Sequence, residues 1–243
     1  MSNPYFRFKQ FTVWHDRCAM KVGTDGVLIG AWCDVVACSR ILDIGCGTGL
    51  ISLMVAQRTP DKTMIEGVEI DAVAAGQAVE NVGRSPWKDK IRIHASDFLY
   101  FATSATARYD HIVSNPPYFE KSLLPEDAAR LTARHAECLT YESLLRGAVS
   151  LLLPGGRISL IFPAGLYDSV SAIARECGLF IRRIVWVSGR EGMPPKRVMV
   201  EWGNMPSEIR EEHTLAIETA PLQWTPEYLS LIHISEPTRL LSI

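Results

Sequence analysis

The chain has 243 residues, 47% of them hydrophobic and 21% charged, with a formal net charge of −2. That is enough for one substantial domain with its own core, and the balance is that of an ordinary globular protein. The near-zero charge counts against non-specific coating of nucleic acid, and no apolar run approaches the roughly 20 residues of a membrane helix. From residue 40 onward, short apolar runs alternate with longer amphipathic stretches. Arg40–Ile44 predicts a strand, Leu50–Arg58 a helix, Met64–Glu69 a second strand and residues 71–83 a helix rich in Ala, Val and Gln. Ile91–Ala95 and His111–Ser114 predict two more strands. Tyr141–Leu152 carries Leu144, Leu145, Val149 and Leu152 on one helical face and is stopped by Pro154-Gly155-Gly156. A buried strand over Arg157–Phe162, a helix over Leu166–Glu176 and strands over Phe180–Val187 and Val198–Trp202 complete the series. Strands alternating with helices imply an α/β fold: a doubly wound, mostly parallel seven-stranded sheet. The last two strands have no helix between them and are expected to form an antiparallel edge hairpin.

Two segments carry the chemistry. Asp43-Ile44-Gly45-Cys46-Gly47-Thr48-Gly49 joins a strand to a helix. Glycine there permits a tight turn and removes Cβ atoms that would block a ligand lying against the backbone. The spacing is G-x-G-x-G rather than the G-x-G-x-x-G of dinucleotide binders, which disfavours a pyrophosphate. Glu69 closes the next strand, where a carboxylate can accept both hydroxyls of a ribose. Asp97 follows the third, where it can accept from an adenine amino group. Ligands bind at this carboxyl edge of a doubly wound sheet.

Asn115-Pro116-Pro117-Tyr118 follows the fourth strand at the same edge. Prolines fix φ and lack an N–H, so the loop is stiff and presents carbonyl acceptors. An exocyclic amine on a base is a poor nucleophile because its lone pair is delocalised. Accepting both of its N–H bonds, through the Asn115 side-chain oxygen and the Pro116 carbonyl, favours a pyramidal nitrogen. Tyr118 can stack on the ring. Orientation and proximity then do most of the work, without a base or a metal. Six scattered cysteines (Cys18, Cys33, Cys38, Cys46, Cys138 and Cys177) include no C-x-x-C pair, so reduced thiols and no metal site are expected. His15 and His135 read as hydrogen-bonded histidines, and Cys46 as a small filler.

The glycine turn with Glu69 and Asp97 resembles the S-adenosylmethionine-dependent methyltransferases of the Rossmann-like class. The resemblance implies that Gly45, Gly47, Gly49, Glu69 and Asp97 hold that cofactor, while Asp43 shapes the turn and orders its methionine end. The Asn-Pro-Pro-Tyr loop is similar to that of the amino-methylating branch, which acts on adenine N6, guanine N2 or glutamine N5.

Further segments narrow the likeness. Lys9-Gln10-Phe11 and the run from His15 to Leu28, with Ser85-Pro86-Trp87, Ala133-Arg134-His135 and Arg197-Val198, resemble the bacterial tRNA1(Val) adenine-37 N6-methyltransferases over most of residues 5–228. That resemblance implies methylation of an unpaired adenine in the anticodon loop, with Lys21, Thr24 and Asp25 beside the cofactor and Asp25 facing its charged end. It implies a tRNA partner, no DNA, no membrane and a monomer. A glutamine methyltransferase would carry a sizeable helical domain and a DNA enzyme a recognition domain, for which there is no room. Ribosomal guanine N2, protein glutamine N5 or a cofactor-binding module without catalysis stand as alternatives.

Met1–Lys9 lacks a signal-peptide pattern, so the expected location is cytoplasmic. Residues 1–35 are expected to cap the cofactor end of the same domain, 36–228 to form the methyltransferase domain, and 229–243 to be a non-native or disordered tail. Leu231–Arg239 departs from the family pattern and resembles translated sequencing-adapter DNA. A basic surface combining the N-terminal segment (Arg7, Lys9, Arg17, Lys21) with Arg182, Arg183, Arg190, Lys196 and Arg197 is a candidate contact for the tRNA body.

Overall fold

The computed structural model describes residues 3–18, 21–117, 139–207, 211–233 and 235. In chain order it contains β1 (Tyr5–Arg7), β2 (Thr12–Trp14), α1 (Thr24–Trp32), β3 (Arg40–Ile44), α2 (Leu50–Arg58), β4 (Met64–Glu69) and α3 (Ala72–Gly83). There follow β5 (Ile91–Ala95), α4 (Phe98–Ser104), β6 (Tyr109–Ser114), α5 (Tyr141–Ser150), β7 (Leu152–Pro163) and α6 (Tyr167–Glu176). The chain closes through β8 (Phe180–Arg190), β9 (Arg197–Gly203), β10 (Glu211–Ala220), β11 (Gln223–Trp224) and α7 (Pro226–Ile232).

Among the described residues the main sheet has nine strands, in the order β11-β10-β8-β9-β7-β6-β3-β4-β5. The run from β7 through β6, β3 and β4 to β5 is parallel throughout, as the strand–helix alternation requires. β8 and β9 pair antiparallel as expected, but β9 lies between β7 and β8. The expected seven strands are therefore extended, and the hairpin is not the edge. β10 adds to β8 in parallel, and β11 turns back on β10. Glu211–Ala220 is charged at its start and has no strand-like alternation there. Pairing along Arg183–Arg190, and burial of Leu215 and Ile217, make it a strand.

Alternation along each strand splits the core into two layers. Ile41, Ile65, Val113, Ile161 and Met199 face α1, α2, α7 and the N-terminal hairpin. Leu42, Ile44, Val68, Ile112, Leu160 and Val200 face α4, α5 and α6. The β1–β2 hairpin stands outside the main sheet, yet Phe6, Phe8, Phe11 and Val13 join the first layer. Phe11 meets Trp87 edge-on, with ring centroids 5.6 Å apart, so two segments that carried the family resemblance pack on each other. α7 buries Tyr228 and Ile232, so packing continues past Leu229, where the tail was expected to begin. No helix among the described residues is long and apolar enough to cross a membrane.

α1 lies close on α2 because Gly30 offers no side chain. A Cβ there would come within 2.9 Å of the Met54 sulfur and 3.2 Å of its Cβ. Gly30→Val should push the two helices apart and cost about 2 kcal/mol, a penalty typical of overpacking, read as a lower urea midpoint with an unchanged slope.

Candidate active site

Four parallel strands end level with one another. Ile44 is opposite both Val68 and Ser114, and Glu69 is opposite Ala95, so the segments beginning at Gly45, Glu69, Ser96 and Asn115 share one edge. The Ser114 hydroxyl donates to the Ile44 carbonyl at 2.6 Å and ties the fourth strand to the first at that edge.

The glycine turn is bent back onto its neighbour strand. The amides of Gly45 and Cys46 both donate to the Val68 carbonyl, at 2.8 and 3.1 Å. Gly45 and Gly47 sit at φ +68° and +54°, a region that side chains rarely adopt, and a Cβ on either would meet no described atom within 4 Å. Strain demands glycine at both positions, and the space beside them is an open cradle. Cys46 is buried against Gly67, and burial pushes its thiol well above the ordinary range, so it is a filler rather than a nucleophile.

Two carboxylates hold this turn. Glu69 accepts from the Gly47 amide through Oε2 at 2.8 Å and from the Asp71 amide through Oε1 at 2.9 Å. Each oxygen keeps a lone pair for a ligand hydroxyl. Asp43 is fully buried beneath the first turn of α2 and accepts, through Oδ2, from the Ser52 amide at 3.0 Å and the Ser52 hydroxyl at 2.7 Å. Gly49, the residue before α2, has no side chain with which to cap it, so Asp43 satisfies an amide of the first turn instead. Its Oδ1 is buried with no hydrogen-bond partner among the described residues. Burial pushes the carboxyl up to about 7, against the pull of the two Ser52 bonds.

Asp97 is half-buried at the end of the third strand and caps α4, its Oδ1 accepting from the Tyr100 amide at 2.9 Å. Asn115 is half-buried, Pro116 buried and Pro117 exposed; Tyr118, His135 and Cys138 lie outside the described residues. Thr24 is buried in the first turn of α1, Lys21 is exposed just before it, and Asp25 receives the Arg197 guanidinium at 2.8 Å. A Cβ on Gly26 would lie 4.0 Å from the Asn115 Nδ2, so α1 approaches the Asn115-Pro116-Pro117 loop closely.

Several groups that hold the site were not singled out from the sequence. Asn81 donates to the carbonyls of Thr48 and Trp14 and accepts from the Trp14 amide, joining the N-terminal hairpin to the glycine turn. One turn earlier, Gln77 donates to Asp16 and accepts from the Cys18 thiol. A polar i, i+4 pair on the Ala-rich inner face of α3 was the available signal. His15 accepts from the Val22 amide at Nδ1, which leaves Nε2 to donate to the Asn3 carbonyl, so it is a neutral bracing residue. Of the expected basic patch, Arg17 pairs with Glu80, Arg183 with Glu201, Arg190 with Glu218 and Arg197 with Asp25.

An open cradle of strained glycines, a carboxylate anchored to it, a buried carboxylate oxygen without a partner among the described residues and a stiff acceptor loop one strand away fit a sulfonium nucleoside and an amine. Fold and site together define a Rossmann-like methyltransferase. The Methyltransferase small domain family matches residues 28–167. A Bacteroides thetaiotaomicron protein named tRNA1(Val) (adenine(37)-N6)-methyltransferase is 49% identical over 232 residues, covering 95% of this chain and 96% of that protein. A Serratia proteamaculans protein of the same name is 44% identical over 227 residues, covering 93% and 87%. The crystal structure of a predicted O-methyltransferase from Agrobacterium tumefaciens superposes with a TM-score of 0.67 at 22% identity, over 88% of this chain and 97% of that one, a likeness of fold. The chain belongs to the tRNA1(Val) (adenine(37)-N6)-methyltransferase family.

Asp43 sets a pH test. Its folded value, about 7, lies above its unfolded value of 3.8, so its stabilising contribution is complete below 3.8 and is lost as pH rises toward 7. Asn in its place keeps an acceptor for Ser52 and does not titrate. The stability of Asp43→Asn relative to the parent, taken from thermal melts of the cofactor-free protein, should therefore increase between pH 5 and pH 8. Linkage at about 1.4 kcal/mol per unit sets the difference at a few kcal/mol.

Proposed function

We propose that this chain transfers a methyl group from S-adenosyl-L-methionine to the N6 amine of the unpaired adenine at position 37 in the anticodon loop of tRNA1(Val). The observation that carries this is the pairing of Ile44 with Ser114: cofactor cradle and amine-gripping loop leave neighbouring strands, roughly 4.8 Å apart, at one edge. The name borne by the relatives supplies the substrate.

Gly45, Gly47 and Gly49 form the cradle, Glu69 takes the ribose hydroxyls, Asp97 the adenine amino group, and Asp43 braces the turn. Lys21 and Thr24 flank the far end, and Asp25 there holds Arg197. S-adenosylmethionine supplies, when bound, an electrophilic methyl group on a positively charged sulfur. The Asn115 side-chain oxygen and the Pro116 carbonyl accept the two N–H bonds of the target amine, withdraw its lone pair from the ring and aim it. Pro117 stiffens the loop and Tyr118 stacks on the base. The methylated nitrogen then releases a proton to solvent, and His15, neutral with both ring nitrogens engaged, is not needed as a base. An anticodon loop presents its bases unpaired, so no duplex has to be opened. Residues 1–35 belong to the same domain as 36–228, since the hairpin aromatics share the sheet's core. The setting is the cytoplasm.

Incubation of unmodified tRNA1(Val) with labelled cofactor, followed by nucleoside mass spectrometry, should give N6-methyladenosine at the position 3′ of the anticodon and nowhere else. Label appearing only on ribosomal guanine or on a protein glutamine would overturn the substrate. Asn115→Ala should bind cofactor normally in calorimetry while turnover falls on the order of 10²-fold, as for loss of one preorganised polar contact in an active site.

A further inference from the structure

Resting on that reading of the site, we infer that Arg197 and Asp25 form a positioning pair. Arg197 grips the first turn of α1 and thereby holds Asn115 in the orientation that presents the amine to the methyl donor.

Arg197 stands on a rigid base. It is the first residue of β9, opposite Pro163 on β7 and Val187 on β8. Backbone bonds on either side, from Ala164 to Lys196 at 3.1 Å and from Lys196 to Val187 at 2.8 Å, fix its entry into the sheet. β9 runs against its neighbours, so its beginning lies at the edge where the parallel strands end.

α1, by contrast, starts without a side-chain cap. The residue before it is Gly23, which has no side chain to cap the helix. Asp25 is the acidic residue of that first turn, and its Oδ2 receives the Arg197 Nε at 2.8 Å. Both side chains are largely shielded, at 15% and 27% exposure, so the pair is less screened than a surface ion pair.

The next residue, Gly26, transmits the position. Its Cβ site is 2.9 Å from the Leu50 Cδ2 and 4.0 Å from the Asn115 Nδ2. Gly26 carries no side chain, so the backbone of the first turn of α1 faces the Asn115 amide across that space, and a shift of the turn changes the room open to it. Small misorientation of such a group is costly to turnover, because reaction requires near-attack geometry.

A double-mutant cycle with Asp25→Asn and Arg197→Met tests the pair. Each single variant should lower kcat about 10- to 100-fold, with cofactor Kd and the KM for tRNA moving less than about threefold. The double variant should be no slower than the worse single, and Arg197→Lys, which keeps the charge, should recover part of the rate. Additive losses would overturn the inference. So would a raised KM in Arg197→Met alone, which marks a phosphate contact, or a weakened cofactor Kd in Asp25→Asn alone, which marks a direct cofactor contact. A second readout is independent of substrate. The Asn115 side-chain amide signals in a nitrogen-15 spectrum, assigned by their loss in Asn115→Ala, should shift or broaden in both single variants. Unmoved signals in variants with a parental melting temperature would sink the coupling even if the parent protein methylates a different amine. Loss of parental activity on tRNA1(Val), with the amide signals still coupled, would sink only the substrate.

Discussion

The site depends on a turn that cannot stabilise itself. Between β3 and α2 the chain reverses through Gly45, Gly47 and Gly49, all at positive φ, and so enters a helix whose first amides lack a neighbouring side-chain cap. Glycines that cost nothing sterically cost conformational entropy on folding, and an open cradle offers no packing in return. Carboxylates from elsewhere supply the missing bonds: Asp43 from inside β3 and Glu69 from the end of β4. Burying Asp43 is unfavourable, which is why its carboxyl is pushed up to about 7.

The same economy shapes what surrounds the cradle. The hairpin β1–β2 is too short to stand alone. Its aromatics complete the first core layer, and Asn81 ties Trp14 to the Thr48 carbonyl of the glycine turn. The N-terminal segment is thus tied to the glycine turn through a buried amide. On the far side of α1, Glu201 is 1% exposed and lies between Arg183 at 2.8 Å and Arg157 at 3.6 Å. Arg157 also reaches Asp34 at 2.8 Å. A buried carboxylate of this kind requires its cations, so arginines that look basic in the sequence are committed to structure. Recognition of a polyanion cannot be read from a tally of Lys and Arg when carboxylates from distant parts of the chain neutralise them.

What could be read in advance follows from the range of the forces involved. The bounds of β3, α2, β4 and β5 in the structure are those that the local pattern predicts, because each is an apolar or alternating run bounded by Gly, Pro or polar residues. α4 escaped notice: Phe98–Ser104 is a short aromatic stretch that becomes helical with Asp97 as its cap and Phe98 against Gly147. β7 begins at Leu152, ahead of the Pro154-Gly155-Gly156 expected to precede it, since Tyr109 on β6 offers a partner there. β10 and β11 were missed for a similar reason, as strands at an edge take their definition from the neighbour to which they bond.

The site divides along the same line. The glycine turn, Glu69, Asp97 and the Asn115-Pro116-Pro117 loop were visible because turn geometry, strand ends and proline stiffness are properties of a few consecutive residues. The sequence by itself thus determined the parallel sheet, the edge at which the candidate site gathers and the class of chemistry. Tertiary structure alone decided that Asp43 caps α2, that Asn81 links the hairpin to the cradle and that Arg197 meets Asp25 from 172 residues away. Those contacts join residues far apart in the chain, and a buried polar group takes whichever partner the fold brings within hydrogen-bond reach.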